Sequence, residues 1–154
     1  MKHMKKLVTL LLALIMALAL VVPASAATTY TITIKNAAAG HTYEAYQIFA
    51  GDLTVQDKNR ILTEITWGSG VSAAGKKALG DAAAKAKSLT DEASAIAFAK
   101  EVAKYLQAPT ASGAQKNGKY TISGLAAGYY LVKDKNNTLS AKDDFYTAYI
   151  MKVV

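Results

Sequence analysis

Residues 61–89, ILTEITWGSGVSAAGKKALGDAAAKAKSL, decide the fold, because the chain changes period inside them. Ile61 to Trp67 is rich in branched and aromatic residues and reads as a strand. Gly68-Ser69-Gly70 then forces a tight turn. From Ser72 to Leu89 the sequence is Ala- and Lys-rich with no β-branched residue, which favours helix. Gly75 and Gly80 weaken that helix, so it must lean on tertiary packing. Trp67 falls at the junction, placed to cover the end of a core where the helical segment begins.

Working outward, the N-terminal side is all strand. Thr29 to Lys35 alternates, with Tyr30, Ile32 and Ile34 on one face and Thr29, Thr31 and Thr33 on the other. Thr42 to Ala50 is a second strand carrying Tyr43, Tyr46, Ile48 and Phe49. Gly51-Asp52 breaks it, and Asp57-Lys58-Asn59 is a polar turn. On the C-terminal side Thr90 caps a second helix, with Asp91 and Glu92 at its positive end and Lys100 and Lys104 towards its negative end. Ala95, Phe98, Ala99, Val102, Ala103 and Leu106 form its apolar stripe, and Pro109 stops it. Thr110 to Gly118 is a loop of turn formers. Lys119 to Ser123 and Gly128 to Asp134 return to strand, with one of Tyr129 and Tyr130 facing outward by alternation. A polar tract leads to a last strand, Phe145 to Val154. Strands before and after a helical excursion define a mainly β fold. The expectation is an antiparallel β-sandwich with an inserted two-helix segment at about 72–107, not a repeated βαβ unit.

The first 26 residues have another purpose. Lys2, Lys5 and Lys6 precede an apolar run from Leu7 to Val22, interrupted only by Thr9. Pro23 and Ala24-Ser25-Ala26 follow. That is a secretory signal peptide with cleavage between Ala26 and Ala27, leaving 27–154 as one domain of 128 residues. Contact with a membrane is then limited to export, and the mature chain is a secreted or cell-surface protein. The leader holds three of the 18 basic residues and no acid, so the mature part has 15 basic against 11 acidic groups, a net of +4. Its lysines are spread and Arg60 is its one arginine, which argues against nucleic-acid binding. Cysteine is absent. Thiol catalysis, thiolate metal sites and disulfides are thereby excluded.

No motif carries catalysis or a cofactor. Gly68-Ser69-Gly70-Val71-Ser72-Ala73 fits the loose dinucleotide fingerprint, but a second helix follows where a parallel strand ending in an acid is required. Asp134-Lys135-Asn136-Asn137-Thr138 begins like a calcium loop, yet Leu139 replaces its glycine and Phe145 its glutamate. A surface calcium on Asp143 and Asp144 and glycosylation at Asn136 are weaker readings of that solvated loop. His41, in the turn before the second strand, reads as a surface histidine, and no nucleophile elbow occurs. Most of the nine tyrosines fall in strands, which they suit by burying a ring and wetting a hydroxyl.

Three stretches combine into a family likeness. Thr31-Ile32-Thr33-Ile34, then Tyr43-Glu44-Ala45-Tyr46-Gln47-Ile48-Phe49-Ala50-Gly51-Asp52-Leu53, then Trp67-Gly68-Ser69-Gly70-Val71 resembles the N-terminal domain of Gram-positive sortase-assembled backbone pilins, the isopeptide-forming fimbrial proteins. Ser123-Gly124-Leu125-Ala126-Ala127-Gly128-Tyr129-Tyr130-Leu131-Val132 is similar to the glycine-leucine to glycine-tyrosine element of collagen-adhesin B-type domains. The likeness covers nearly all of 28–154. It implies an immunoglobulin-like or collagen-adhesin-B-like sandwich serving as a non-catalytic structural domain of a fimbria or cell-wall protein. Other pilin subunits and a sortase would be its partners. The alternative is a secreted adhesin recognising a host protein or glycan. Neither the pilin-motif lysine signature nor a sorting signal occurs before Val154. The chain is then either part of a longer reading frame or a short secreted relative.

The same resemblance implies an internal amide crosslink, in which a buried neutral lysine attacks an asparagine carboxamide and expels ammonia beside a protonated acid. Lys35 is the candidate amine and Glu44 the candidate acid. The last strand carries no asparagine, so the domain is expected to keep its calculated mass.

Overall fold

The computed structural model describes residues 28–35, 39–135 and 148–153. The expected leader with its cleavage residues Ala26 and Ala27, and Asn136, Asn137, Asp143 and Asp144 of the tract expected to be a loop, lie outside the described residues.

Half of the described chain is strand. The elements run β1 (Tyr30–Lys35), β2 (Thr42–Gln56), β3 (Asn59–Trp67), α1 (Ala73–Leu79), α2 (Ala82–Lys87), α3 (Glu92–Val102), a 3-10 turn (Ala103–Tyr105), β4 (Ala111–Lys116), β5 (Lys119–Leu125), β6 (Gly128–Asp134) and β7 (Ala148–Val153). The strands form an open antiparallel sheet in the order β1-β5-β4-β2-β6-β7, with β3 also paired to β2.

β2 organises the sheet. It is 15 residues long and does not break at Gly51-Asp52 as its composition suggests. A bulge absorbs the irregularity instead: the register with β3 shifts between Ala50 and Asp52, and Glu64 opposite takes φ +50°. One edge of β2 pairs with β6 from Tyr43 to Phe49. The other edge is shared, by β4 along Thr42 to Ala45 and by β3 from Phe49 to Gln56. β4 corrects the loop expected at 110–118. Its sequence, ASGAQK, has little strand propensity. It becomes a strand because β2 offers a free edge and because Asn117-Gly118, at φ +52° and +72°, closes a two-residue hairpin to β5.

Both faces of the β2–β6 pair are buried. Tyr43, Ala45, Tyr130 and Val132 join Tyr30, Ile32 and Ile34 of β1 and Tyr120, Ile122 and Leu125 of β5 in one apolar cluster. Tyr46, Ile48, Phe49 and Leu131 face the other way, against Val71, Leu79, Ala82, Phe98, Ala99 and Val102 of the helical segment. Hence the expected outward tyrosine on β6 is absent. Tyr130 is fully buried in the first cluster, and the half-buried Tyr129 packs against the second.

The helical excursion holds three α-helices, not two. Gly80 at φ +80° ends α1, and Asp81 starts α2 by accepting from the Ala84 amide at 2.7 Å. The cap of α3 is Asp91 rather than Thr90. Its carboxylate accepts from the Ser94 amide while the Ser94 hydroxyl accepts from the Asp91 amide, a reciprocal box that Thr90 has no partner to form. The ends of the excursion are tied together. Ser72 donates to the Tyr105 carbonyl, Gln107 donates to that of Gly70, and Val71 bridges Leu106. As expected, Phe98 and Val102 bury against the sheet.

Candidate functional site

The segment Gly68-Ser69-Gly70 sets where the helices leave the sheet. The amides of Gly68 and Gly70 donate to the carbonyls of Ile48 and Gln47 at 2.7 and 2.8 Å. A Cβ on Gly68 would lie 2.3 Å from the Gln47 carbonyl oxygen, and one on Gly70 2.8 Å from it. These glycines are therefore backbone-approach residues along β2. Trp67, just before them, stacks on Phe49 at 5.1 Å and donates Nε1–H to the Gly80 carbonyl at 2.8 Å. It joins β3 to the α1–α2 junction, as its place in the sequence implies.

Two polar groups are embedded in this apolar frame. The first lies where β6 ends and β2 begins. Asp134 is fully buried, and its Oδ2 is 3.2 Å from His41 Nδ1, with the His41 side chain 11% exposed. The rings of Tyr43 and Tyr120 meet edge to face at 4.8 Å and stand 6.2 and 6.3 Å from the imidazole. His41 is thus the partner of a core carboxylate and not a surface histidine. Period-two alternation could have shown that both residues face inward: Tyr130, Val132 and Asp134 share one face of β6, and His41 precedes Tyr43 and Ala45 on the inward face of β2.

The second group is Glu44. Its side chain is buried and its Oε2 accepts the Tyr46 hydroxyl at 2.6 Å. Burial, and then the Glu44 carboxylate as hydrogen-bond partner and neighbouring charge, raise the Tyr46 phenol well above its ordinary range. The Lys133 ammonium sits over the Tyr46 ring at 5.6 Å.

Of the two crosslink candidates, Glu44 is buried and hydrogen-bonded to the Tyr46 hydroxyl. Lys35 is exposed at the end of β1, opposite Lys119. β5 and β4 stand between its strand and β2, and no hydrogen bond or ion pair joins it to Glu44. Among the described residues, no three His, Asp or Glu side chains converge to hold a metal. No helix among them is long and apolar enough to cross a membrane. Comparison with known proteins finds no matching family model, curated protein or solved structure.

Proposed function

We propose that this chain is a non-catalytic structural domain of an extracellular fibre or cell-wall protein, of the kind found at the N-terminus of sortase-assembled backbone pilins. The observation that carries the reading is the use made of β2. Its two edges are hydrogen-bonded and its two faces are buried, so no part of the Tyr43–Phe49 stretch opens without disrupting ladders and apolar clusters together. A shaft subunit needs such resistance to local opening. The pilin-like motifs support the reading, since they coincide with β1, β2, the strand-to-helix turn and the consecutive strands β5 and β6. The export leader supports it independently.

The finer fold assignment, an immunoglobulin-like or collagen-adhesin-B-like sandwich, draws support from β4. That strand pairs with β2 through Ala111 to Ala114 and with β5 through Gln115 and Lys116. A strand that changes partner along its length is a device for turning a sheet back over itself. The side chains of β1 and β5 share one cluster with those of β2 and β6, as two facing layers would.

Antibody raised against this domain tests the function on the cell wall of the producing bacterium. A ladder of covalent polymers that resists boiling in detergent, and that vanishes when the sortase is inactivated, is the expected result. A single species free in the medium would overturn the shaft reading in favour of a secreted adhesin.

A further inference from the structure

The outer face of β1, β5 and β4 carries a feature that its scattered sequence positions hide. Lys35 is the register partner of Lys119, and Lys119 is the register partner of Lys116. Register partners point to the same side of a sheet, so three ammonium-bearing side chains stand in a row across three adjacent strands. At a strand spacing of about 4.8 Å the row spans roughly 10 Å. All three side chains are exposed. The opposite faces of these strands supply Ile34, Ile32, Tyr120 and Ile122 to the core, which holds the row outward.

Like charges directly opposite each other destabilise a sheet, and among the described residues no carboxylate pairs with them. β1, β4 and β5 contain no Asp or Glu, and no ion pair to the three lysines is found among the described residues. Glu44, which register places on the same face through Ser112, is turned to the Tyr46 hydroxyl. Next to the row the same face continues in hydroxyls: Thr33 opposite Thr121, then Thr31 hydrogen-bonded to Ser123 at 3.3 Å. The face therefore has a line of point cations bordered by short neutral donors and acceptors.

From this we infer that the outer face of β1, β5 and β4 is a binding site for an anionic polysaccharide, its sulfate or carboxylate groups lying along Lys35, Lys119 and Lys116 and its hydroxyls meeting Thr33 and Thr121. Lysine suits this ligand: it presents a compact charge on a flexible stem and tolerates the irregular spacing of charges along a sugar chain. The hydroxyl border matches the polar edges of sugar rings. The inference is independent of whether the domain forms part of a fibre.

Titration of the purified chain with heparin fragments, dextran sulfate and unsulfated dextran tests it, comparing the wild type with two triple variants of equal charge change. One, K35Q/K116Q/K119Q, removes the row. The other, K77Q/K87Q/K104Q, removes exposed lysines of the helical segment. The expected result is salt-sensitive binding of the sulfated chains, no binding of unsulfated dextran, a loss of about tenfold or more for the row variant and less than about twofold for the helical one. Thermal denaturation should leave the row variant at least as stable as the wild type, because a like-charge row has been relieved. Should it unfold, the single change Lys119→Gln, at the centre of the row, is expected to lose more affinity than Lys77→Gln. Equal losses in the two variants would reduce the effect to net charge and overturn the site, as would absence of wild-type binding. Equally tight binding of a single-stranded nucleic acid would overturn the assignment to a polysaccharide.

Discussion

Replacing Trp67 with alanine tests the join between sheet and helical segment. The indole is half-buried, stacked on Phe49 at 5.1 Å with a 27° tilt, and 6.4 Å from the Phe98 ring. Aromatic side chains bury roughly 150–250 Å². Loss of on the order of 130 Å² of apolar contact, at about 25 cal/mol/Å², amounts to about 3 kcal/mol. The bond from Nε1–H to the Gly80 carbonyl adds about 0.5–1 kcal/mol. The sum, about 3–4 kcal/mol, is a large share of a small domain's stability. With a urea dependence of about 1–3 kcal/mol/M, the midpoint followed by circular dichroism should fall by roughly 1–4 M. Trp67→Phe keeps the stack and loses the donor, so it should lose only about 1 kcal/mol. In both variants the amides of α1 and α2 should exchange faster than those of β2. A Trp67→Ala chain unfolding at the wild-type midpoint would refute the reasoning, since the indole could then not be part of the join.

Tyr130, together with Tyr46, contributes to the alkaline limit of stability. Burial pushes the Tyr130 phenol up to about 12, against partial relief from the Gln47 side chain. Its contribution is then fully present below pH 10 and lost as pH rises from about 10 to about 12. Tyr130→Phe should flatten that limb of the denaturation curve while losing about 1 kcal/mol at neutral pH with the bond to Ala126. At the acid limit, the Ser94 amide and then its hydroxyl hold the Asp91 carboxyl below the usual range. Its contribution is present above that range and lost as pH falls through the lowered value, so Asp91→Asn should keep the cap and weaken the acid dependence measured by thermal melting. Lys58 occupies the β2–β3 turn at φ +67°, where lysine is strained and glycine is not. Lys58→Gly should raise stability by about 1 kcal/mol, and a lowered melting temperature would contradict that assignment.

Much of this molecule was legible in period and punctuation. The alternation of β1, the apolar stripe of Phe98 and Val102, the turn at Gly68-Ser69-Gly70 and the place of Trp67 are all local or nearly local signals. They rest on which side of a strand or helix a residue must occupy. The continuation of β2 through Gly51, the strand at Ala111–Lys116 and the burial of both faces of β6 were not legible in that way. Each depends on a partner distant in sequence: Thr63 across the bulge, the free edge of β2, and the helices over Leu131. Propensity describes a segment by itself, whereas a strand exists where another strand offers its hydrogen bonds.

The polar groups divide along the same line. The face on which Asp134 lies follows from alternation, but that His41 meets it at 3.2 Å follows only from the antiparallel pairing of β2 with β6. Lys35 illustrates the point most clearly. Its place at the end of an alternating strand made it a candidate nucleophile, and the sequence alone determined that place, its strand and its face. Only the tertiary structure decided that it stands in water in line with Lys119 and Lys116, because register between strands some 80 residues apart is set by which hydrophobic faces close the core, and no single segment contains that information.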